Sequence, residues 1–242
     1  MKNIKKIVSN EISEEELEKI LTIVFQPVYS LEKNKIVSYE VLSRFASKNI
    51  STIEIIEQLE TMDKIHLLDF LVLKKVEKYL KKSDIKLAIN VSFKTILRNE
   101  FINRLHLLKG SKNLMIELVE RGNFDYEDFN TTISLLYKLG IRVVMDDFPI
   151  GSSNVENLIK TQIQDVKIDR NLLRNISQEK EKKMYKGIVN LLKNRESIIT
   201  AEGVETFEEL EFLKKISVDL VQGYFIGKPI SEEEFSKLYI WM

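Results

Sequence analysis

Eight short apolar runs rich in β-branched residues recur along the 242 residues, and longer stretches with helical apolar spacing separate most of them. The runs cover 23–29, 35–45, 86–92, 114–120, 142–148, 165–169, 197–205 and 220–230. Between them, "LLDFLVLKKVEKYL", "YEDFNTTISLLYKLG" and "FEELEFLKKI" place their apolar residues on one stripe, the pattern of helices laid on a sheet. Strand followed by helix, repeated, builds a parallel sheet. Eight such units with no linker or low-complexity segment predict an α/β fold of the (β/α)8, or TIM, barrel type. The first pair breaks the pattern, because only "SLEKN" separates the first two runs. Five residues cannot hold a crossover helix, so the first strand is expected antiparallel. The prediction is a modified TIM (β/α)8 barrel with an antiparallel first strand, forming one domain over residues 1–242. Residues 1–22 are its N-terminal arm and opening helix. Ser13 with Glu16, and Ser231 with Glu234, read as capping boxes opening a first and a last helix. Pro27, Pro149 and Pro229 are expected at or near strand ends, where a missing N–H does least harm.

Charge and composition narrow the chemistry. Lys plus Arg and Asp plus Glu both total 37, so no net positive field argues for a nucleic acid polymer or an anionic membrane as partner. There is no cysteine and no apolar stretch following "MKNIKK" as a signal peptide requires, which points to a cytoplasmic protein. The two histidines, His66 and His106, both fall in helical stretches and are expected to be surface or packing residues. Zinc sites therefore lack ligands. A metal held by this chain must be held by oxygen, which favours Mg²⁺, Mn²⁺ or Ca²⁺.

Polar residues collect in or just after the apolar runs: Glu40, Asn90, Glu117, Asp146 with Asp147, Lys167 with Asp169, Glu202 with Glu205, and Gln222. In a barrel the parallel strands deliver their carboxyl ends to one rim, so these residues are expected to converge. Carboxylates gathered in one concave site repel each other unless cations neutralise them, and Mg²⁺ or Mn²⁺ suits an oxygen-only set. Adjacent aspartates such as Asp146 and Asp147 can serve two ions at once, an arrangement used in phosphoryl chemistry. Lys167 is the one cation expected inside the mouth, either to orient a nucleophilic water and offset charge on phosphate or to form a structural ion pair. A helix cap or a solvated surface charge is the plainer reading of any one of these acids.

From "FQPVYSLEKNKIVSYEVLSR" to "QGYFIGKPI" the chain resembles the EAL domain family of bacterial cyclic di-GMP phosphodiesterases. The motif that names the family appears as "EVL" at Glu40 to Leu42, with Arg44 following, and "INVS", "IELVE", "DDF", "KIDR", "AEGVE" and "QGY" follow in order. The resemblance implies hydrolysis of cyclic di-GMP to linear pGpG by a two-metal mechanism, with two Mg²⁺ or Mn²⁺ per site and a homodimer as the working form. By that resemblance Glu40, Asn90, Glu117 and Asp146 ligate one ion, with Asp146 shared and Asp147 helping a second. Glu202 binds the second ion or acts as base, and Lys167 holds the attacking water. Glu120 braces the loop after the paired aspartates, and Gln26, Leu42, Arg44, Asp169, Glu205 and Gln222 contact the dinucleotide. Two departures stand out. Val41 replaces the alanine of the motif, and "DFPIGSSNV" replaces the usual "DFGTGYSSL", putting Pro149 where relatives have glycine. Proline fixes its own φ and disfavours helical geometry for Phe148, so a stiffer or displaced loop is expected. The alternative to catalysis is a barrel that binds cyclic di-GMP or a partner protein without turning it over.

Overall fold

Ser13 opens the first helix, α1 (Glu14–Ile20), with the expected capping box, and Leu17 and Ile20 of this helix are buried. The chain then enters β1 (Leu21–Ser30), turns at residues 31–34 and returns as β2 (Lys35–Phe45). The two strands are antiparallel, in register from Leu21 opposite Phe45 to Ser30 opposite Lys35, with one bulge at Val28/Tyr29. The short connection leaves no other choice of direction. The computed structural model describes residues 12–46, 50–81, 85–119, 125–151, 153–174, 176 and 178–240.

From there strands and helices alternate. Helices α2 (Thr52–Thr61) and α3 (Ile65–Leu80) lead to β3 (Lys86–Ser92), and the short α4 (Phe93–Ile96) and α5 (Asn99–His106) lead to β4 (Leu114–Val119). Next come α6 (Tyr126–Lys138), β5 (Arg142–Phe148), α7 (Val155–Lys160), β6 (Asp165–Ile168), α8 (Arg170–Leu173) and α9 (Glu179–Asn194). The chain closes with β7 (Ile199–Ala201), α10 (Phe207–Lys215), β8 (Leu220–Val221), β9 (Ile230–Ser231) and α11 (Glu232–Ile240). Strands β2 to β8 pair side by side and in parallel, and β1 pairs with both β8 and β2 in antiparallel fashion. The result is a closed eight-stranded mixed barrel wrapped by helices, with β9 added on the outer stretch of β1. Among the described residues no helix is long and apolar enough to cross a membrane.

Alternation along the strands sorts side chains into two layers. Leu87, Ile89 and Val91 of β3, like Leu114, Ile116 and Leu118 of β4, join the core between sheet and helices. Ala88, Met115 and Val144 form a separate cluster inside the bore. The last helix is locked on by Phe235, whose ring stacks on Phe25 at 3.9 Å and meets Tyr39 and Tyr79 edge-on.

Three sequence expectations need correction. Pro27 lies inside β1, opposite Tyr39, and not at a strand end. The strand tolerates it because β1 pairs with β9 at Val24 and Phe25 and with β8 at Tyr29 and Ser30, so Pro27 falls in the gap between those two neighbours. The run 220–230 is not one strand: only Leu220–Val221 and Ile230–Ser231 pair, and the residues between form a rim loop. Gly223 explains the turn, since a Cβ there would sit 2.1 Å from the Val204 carbonyl oxygen. Likewise 197–205 contributes only Ile199–Ala201 to the sheet, leaving Glu202 and Glu205 on the exit loop.

Candidate active site

The residues that alternate with the outer core point into the bore, and those nearest the carboxyl ends of the strands form its top layer. Glu40 on β2, Glu117 on β4, Asp146 on β5 and Lys167 on β6 are all buried, although each is a charged residue on an otherwise apolar strand. Lys167 is only 2% exposed. Its Nζ lies 2.6 Å from Glu202, 2.9 Å from Glu117, 3.2 Å from Asp146 and 3.3 Å from Glu40. One ammonium with three N–H donors thus faces four carboxylates.

Glu40 is the best satisfied of the four. Gln222 donates to its Oε2 at 2.6 Å and Asn90 to its Oε1 at 3.0 Å, in addition to Lys167. Burial pushes its carboxyl up, but Lys167 and these amide donors outweigh burial and hold it below the ordinary value. The others go the opposite way. Burial, then the Glu40 charge, raises Glu117 well above the ordinary carboxylate range, and burial raises Asp146 despite Lys167. Burial also lifts Glu202 to about 8, against the pull of Lys167. Burial would lower Lys167, yet Asp146, Glu117, Glu202 and Glu40 together hold its ammonium well above the ordinary value. The site therefore gathers more carboxyl groups than its one lysine can hold ionised.

Consecutive strand residues normally face opposite sides, and the paired aspartates show how this chain avoids that. Asp147 has φ +54°, the left-handed region that aspartate tolerates better than most residues. The backbone twist brings both carboxylates to the mouth, where one oxygen each from Asp146, Asp147 and Glu202 lie within 4.8 Å of one another. Asp147 is exposed, but partial loss of solvent and the neighbouring Asp146 still raise it to about 6. The Ile150 N–H closes a turn on the Asp147 carbonyl at 2.8 Å, and the Phe148–Pro149 bond is cis. Phe148 is the last residue of β5 and is extended, as proline after it demands.

Above this layer opens a cavity of about 680 Å³. Gln26, Leu42, Arg44, Asp169, Glu205 and Gln222, the six residues assigned to substrate contact, all line it, together with Glu40, Asp146, Asp147 and Glu202. Asn90 lines an adjoining cavity of about 270 Å³ that shares Leu42, Arg44, Asp146 and Asp147 with the first. Glu117 and Lys167 lie deeper, in the bore. Glu120 falls outside the described residues. Asp169 has a second task, since its side chain accepts the Asn171 N–H at 2.8 Å and caps α8.

Sequence reading missed two features. Arg170 and Arg174, one turn apart at α8, add two cations to the rim of the larger cavity. The only signal was the arginine of "KIDR", which reads equally well as a surface charge. Asp69 on α3 is 4% exposed and accepts the Ser92 N–H at 3.0 Å, pinning the exit of the strand that carries Asn90. Burial pushes its carboxyl up to about 7. Nothing in the helical pattern around it marked it out.

The EAL domain family model matches residues 9–229. The chain belongs to the EAL domain family. Among curated proteins it is 25% identical over 228 residues to the biofilm architecture maintenance protein MbaA of Vibrio cholerae, covering 88% of this chain and 29% of that one. It is 26% identical over 209 residues to the cyclic di-GMP phosphodiesterase TpdA of Vibrio parahaemolyticus, covering 84% and 36%. The chain thus spans about a third of the curated relatives it matches. Its fold superposes on the PaMucR phosphodiesterase, solved in complex with c-di-GMP, with a TM-score of 0.79 at 22% identity over 89% of this chain and 99% of that one.

The donor set of this EAL domain fits a hard divalent cation. Every candidate ligand is a carboxylate or amide oxygen, and Asp146, Asp147 and Glu202 already converge. The buried Oδ1 of Asp146 has the Lys167 charge nearby but no directed hydrogen bond, so it retains lone-pair capacity for a cation.

Proposed function

We propose that this EAL domain hydrolyses one phosphodiester bond of cyclic di-GMP, giving linear pGpG, and uses two Mg²⁺ or Mn²⁺ ions to do so. The observation that carries the reading is the buried Lys167 held among four carboxylates beneath a cavity lined by the six residues proposed to contact substrate. Family membership and relatives named as cyclic di-GMP phosphodiesterases support it.

Glu40, Asn90, Glu117 and Asp146 would hold one ion, with Asp146 shared; Asp147 would help hold a second, and Glu202 would either bind that second ion or act as base. Bound there, the ions supply positive charge to the scissile phosphate and lower the pKa of coordinated water. The protein's own groups do the rest. Asn90 spends its amide N–H on Glu40, which fixes the rotamer of both side chains. Lys167 presents its N–H donors to the attacking water and, being permanently charged, balances the negative charge that grows as the phosphate is attacked. In the second of those roles Glu202, which burial lifts to about 8, accepts the proton that water gives up. Arg44, joined by Arg170 and Arg174, offers positive charge to phosphate oxygens at the rim, while Gln26, Leu42, Asp169, Glu205 and Gln222 contact the dinucleotide.

The same reading makes the working form a cytoplasmic homodimer. Ile150, with Val155 and Ile159 one turn apart on α7, leaves an apolar strip 46, 43 and 75% exposed beside the Asp147 loop, and a second copy is its natural cover. The deciding experiment incubates purified protein with cyclic di-GMP and Mn²⁺ and separates products by chromatography, with EDTA as control. Linear pGpG that appears only with metal is expected. Binding without cleavage would place the chain among non-catalytic readers.

A further inference from the structure

The amino-terminal face of a barrel like this one serves stability while the opposite face serves chemistry. Here that stability face holds a separate cavity, of about 380 Å³, within the range of small-molecule sites. Its walls include Ile36, Ile85, Met115, Ile198 and Leu220. Two of these, Ile36 and Ile198, are left 37% and 38% exposed, although burying them would be favourable.

The polar groups around it carry surplus positive charge. Arg142 is engaged by Asp165, through Nε at 2.7 Å and Nη2 at 2.5 Å, and Asp219 is engaged by Lys193 at 2.6 Å. That leaves Lys33, Lys35 and Lys86 against Glu32. Lys86, at the start of β3, is half-buried and has no hydrogen bond or ion pair from its ammonium among the described residues. Loss of solvent, then the neighbouring Arg142 charge, depresses its pKa, with Lys33 adding to the effect and Asp165 opposing it. A half-buried cation with no ion pair of its own is costly, and a bound anion lowers the cost.

Strand alternation separates this cavity from the metal-binding mouth. Lys86, Ala88 and Asn90 occupy successive inward positions on β3, as Arg142, Val144 and Asp146 do on β5. The bore cluster of Ala88, Met115 and Val144 is the layer between the two ends.

We propose that the amino-terminal cavity binds a small organic anion with an apolar body, its acid group at Lys86 and its body against Ile36 and Ile198. The test uses the full chain labelled at isoleucine δ1 methyls and titrated with 8-anilinonaphthalene-1-sulfonate, and separately with inorganic phosphate. Saturable methyl shifts at Ile36, Ile85 and Ile198 are expected with the sulfonate and not with phosphate. Lys86→Gln, which keeps most of the side-chain stem, is expected to weaken sulfonate binding about tenfold, the loss of one charge-assisted contact. Ile198→Glu, at a position 38% exposed, is expected to abolish it. The proposal is overturned if the shifts centre on other exposed isoleucines such as Ile53 or Ile159. It is equally overturned if phosphate produces the same shifts, or if Lys86→Gln binds within about twofold of the parent.

Discussion

Deleting the charge of Lys167 is the most incisive perturbation of this barrel. Lys167→Met keeps a long apolar side chain in place and removes only the ammonium that faces Glu40, Glu117, Asp146 and Glu202. Breaking a buried ion pair by removing one partner costs about 3–5 kcal/mol, because the remaining charges stay buried and uncompensated. In a chain of this size each kcal/mol moves the melting midpoint by about 2–4 °C, so a fall of roughly 6–20 °C is expected in EDTA at pH 8. The pH dependence carries the diagnosis. Without the lysine Glu117, Asp146 and Glu202 rise further above their unfolded pKa values and Glu40 loses the charge that holds it down, so the folded variant binds more protons than the unfolded chain. Its stability therefore climbs as pH is lowered, and the deficit against the parent narrows. Calorimetry of parent and variant at pH 8 and pH 5.5 in EDTA reads this directly, and added Mn²⁺ is expected to recover part of the loss at pH 8. A deficit under about 2 °C, or one equal at both pH values, would refute the view that Lys167 neutralises these acids.

Asp69→Asn tests the buried acid under β3. Its folded pKa of about 7 lies above the ordinary 3.8, so the parent loses stability as pH rises from about 4 to 7, by about 4 kcal/mol at most. The asparagine variant is expected to lack that slope in urea unfolding at pH 5 and pH 8; parallel pH profiles contradict it. Asp147→Gly relieves the positive φ and is expected to gain about 1 kcal/mol of stability while Mn²⁺ affinity, read by calorimetry, falls at least about tenfold. Unchanged Mn²⁺ affinity would remove Asp147 from the metal set. Arg174→Ala is expected to raise KM for cyclic di-GMP about threefold to tenfold with kcat near that of the parent. A fall in kcat alone would argue against a binding role. Calcium is expected to inhibit, since its larger and looser coordination suits this chemistry poorly, and sustained turnover in Ca²⁺ alone is the contrary result.

The parts of the fold legible in the sequence are those where apolar periodicity acts alone. The bounds of β2, β3 and β5 coincide with their apolar runs, because each strand packs apolar residues on its outer face and carries most of its polar residues toward the bore. The runs near the carboxyl end misled where apolar residues serve the rim: Tyr224 and Phe225 sit in a loop, 60% and 44% exposed, and Gly223 rather than strand pairing fixes their path. The strand-borne site residues stood out because a charge at the exit of an apolar run is conspicuous. Arg170, Arg174 and Asp69 did not, since on helices their spacing is that of ordinary surface or capping residues. The joint orientation of Asp146 and Asp147 depends on a positive φ at a residue that is not glycine, which composition cannot reveal.

The central claim is that acids from separate strands meet around a pair of divalent ions. A crystal grown with Mn²⁺ and measured at the manganese absorption edge tests it most directly. Two anomalous peaks about 3.5–4 Å apart are expected, flanking Asp146 and bounded by Glu40, Asn90, Glu117, Asp147 and Glu202. An anomalous map with no peak at that mouth, at a Mn²⁺ concentration that supports turnover, would contradict it.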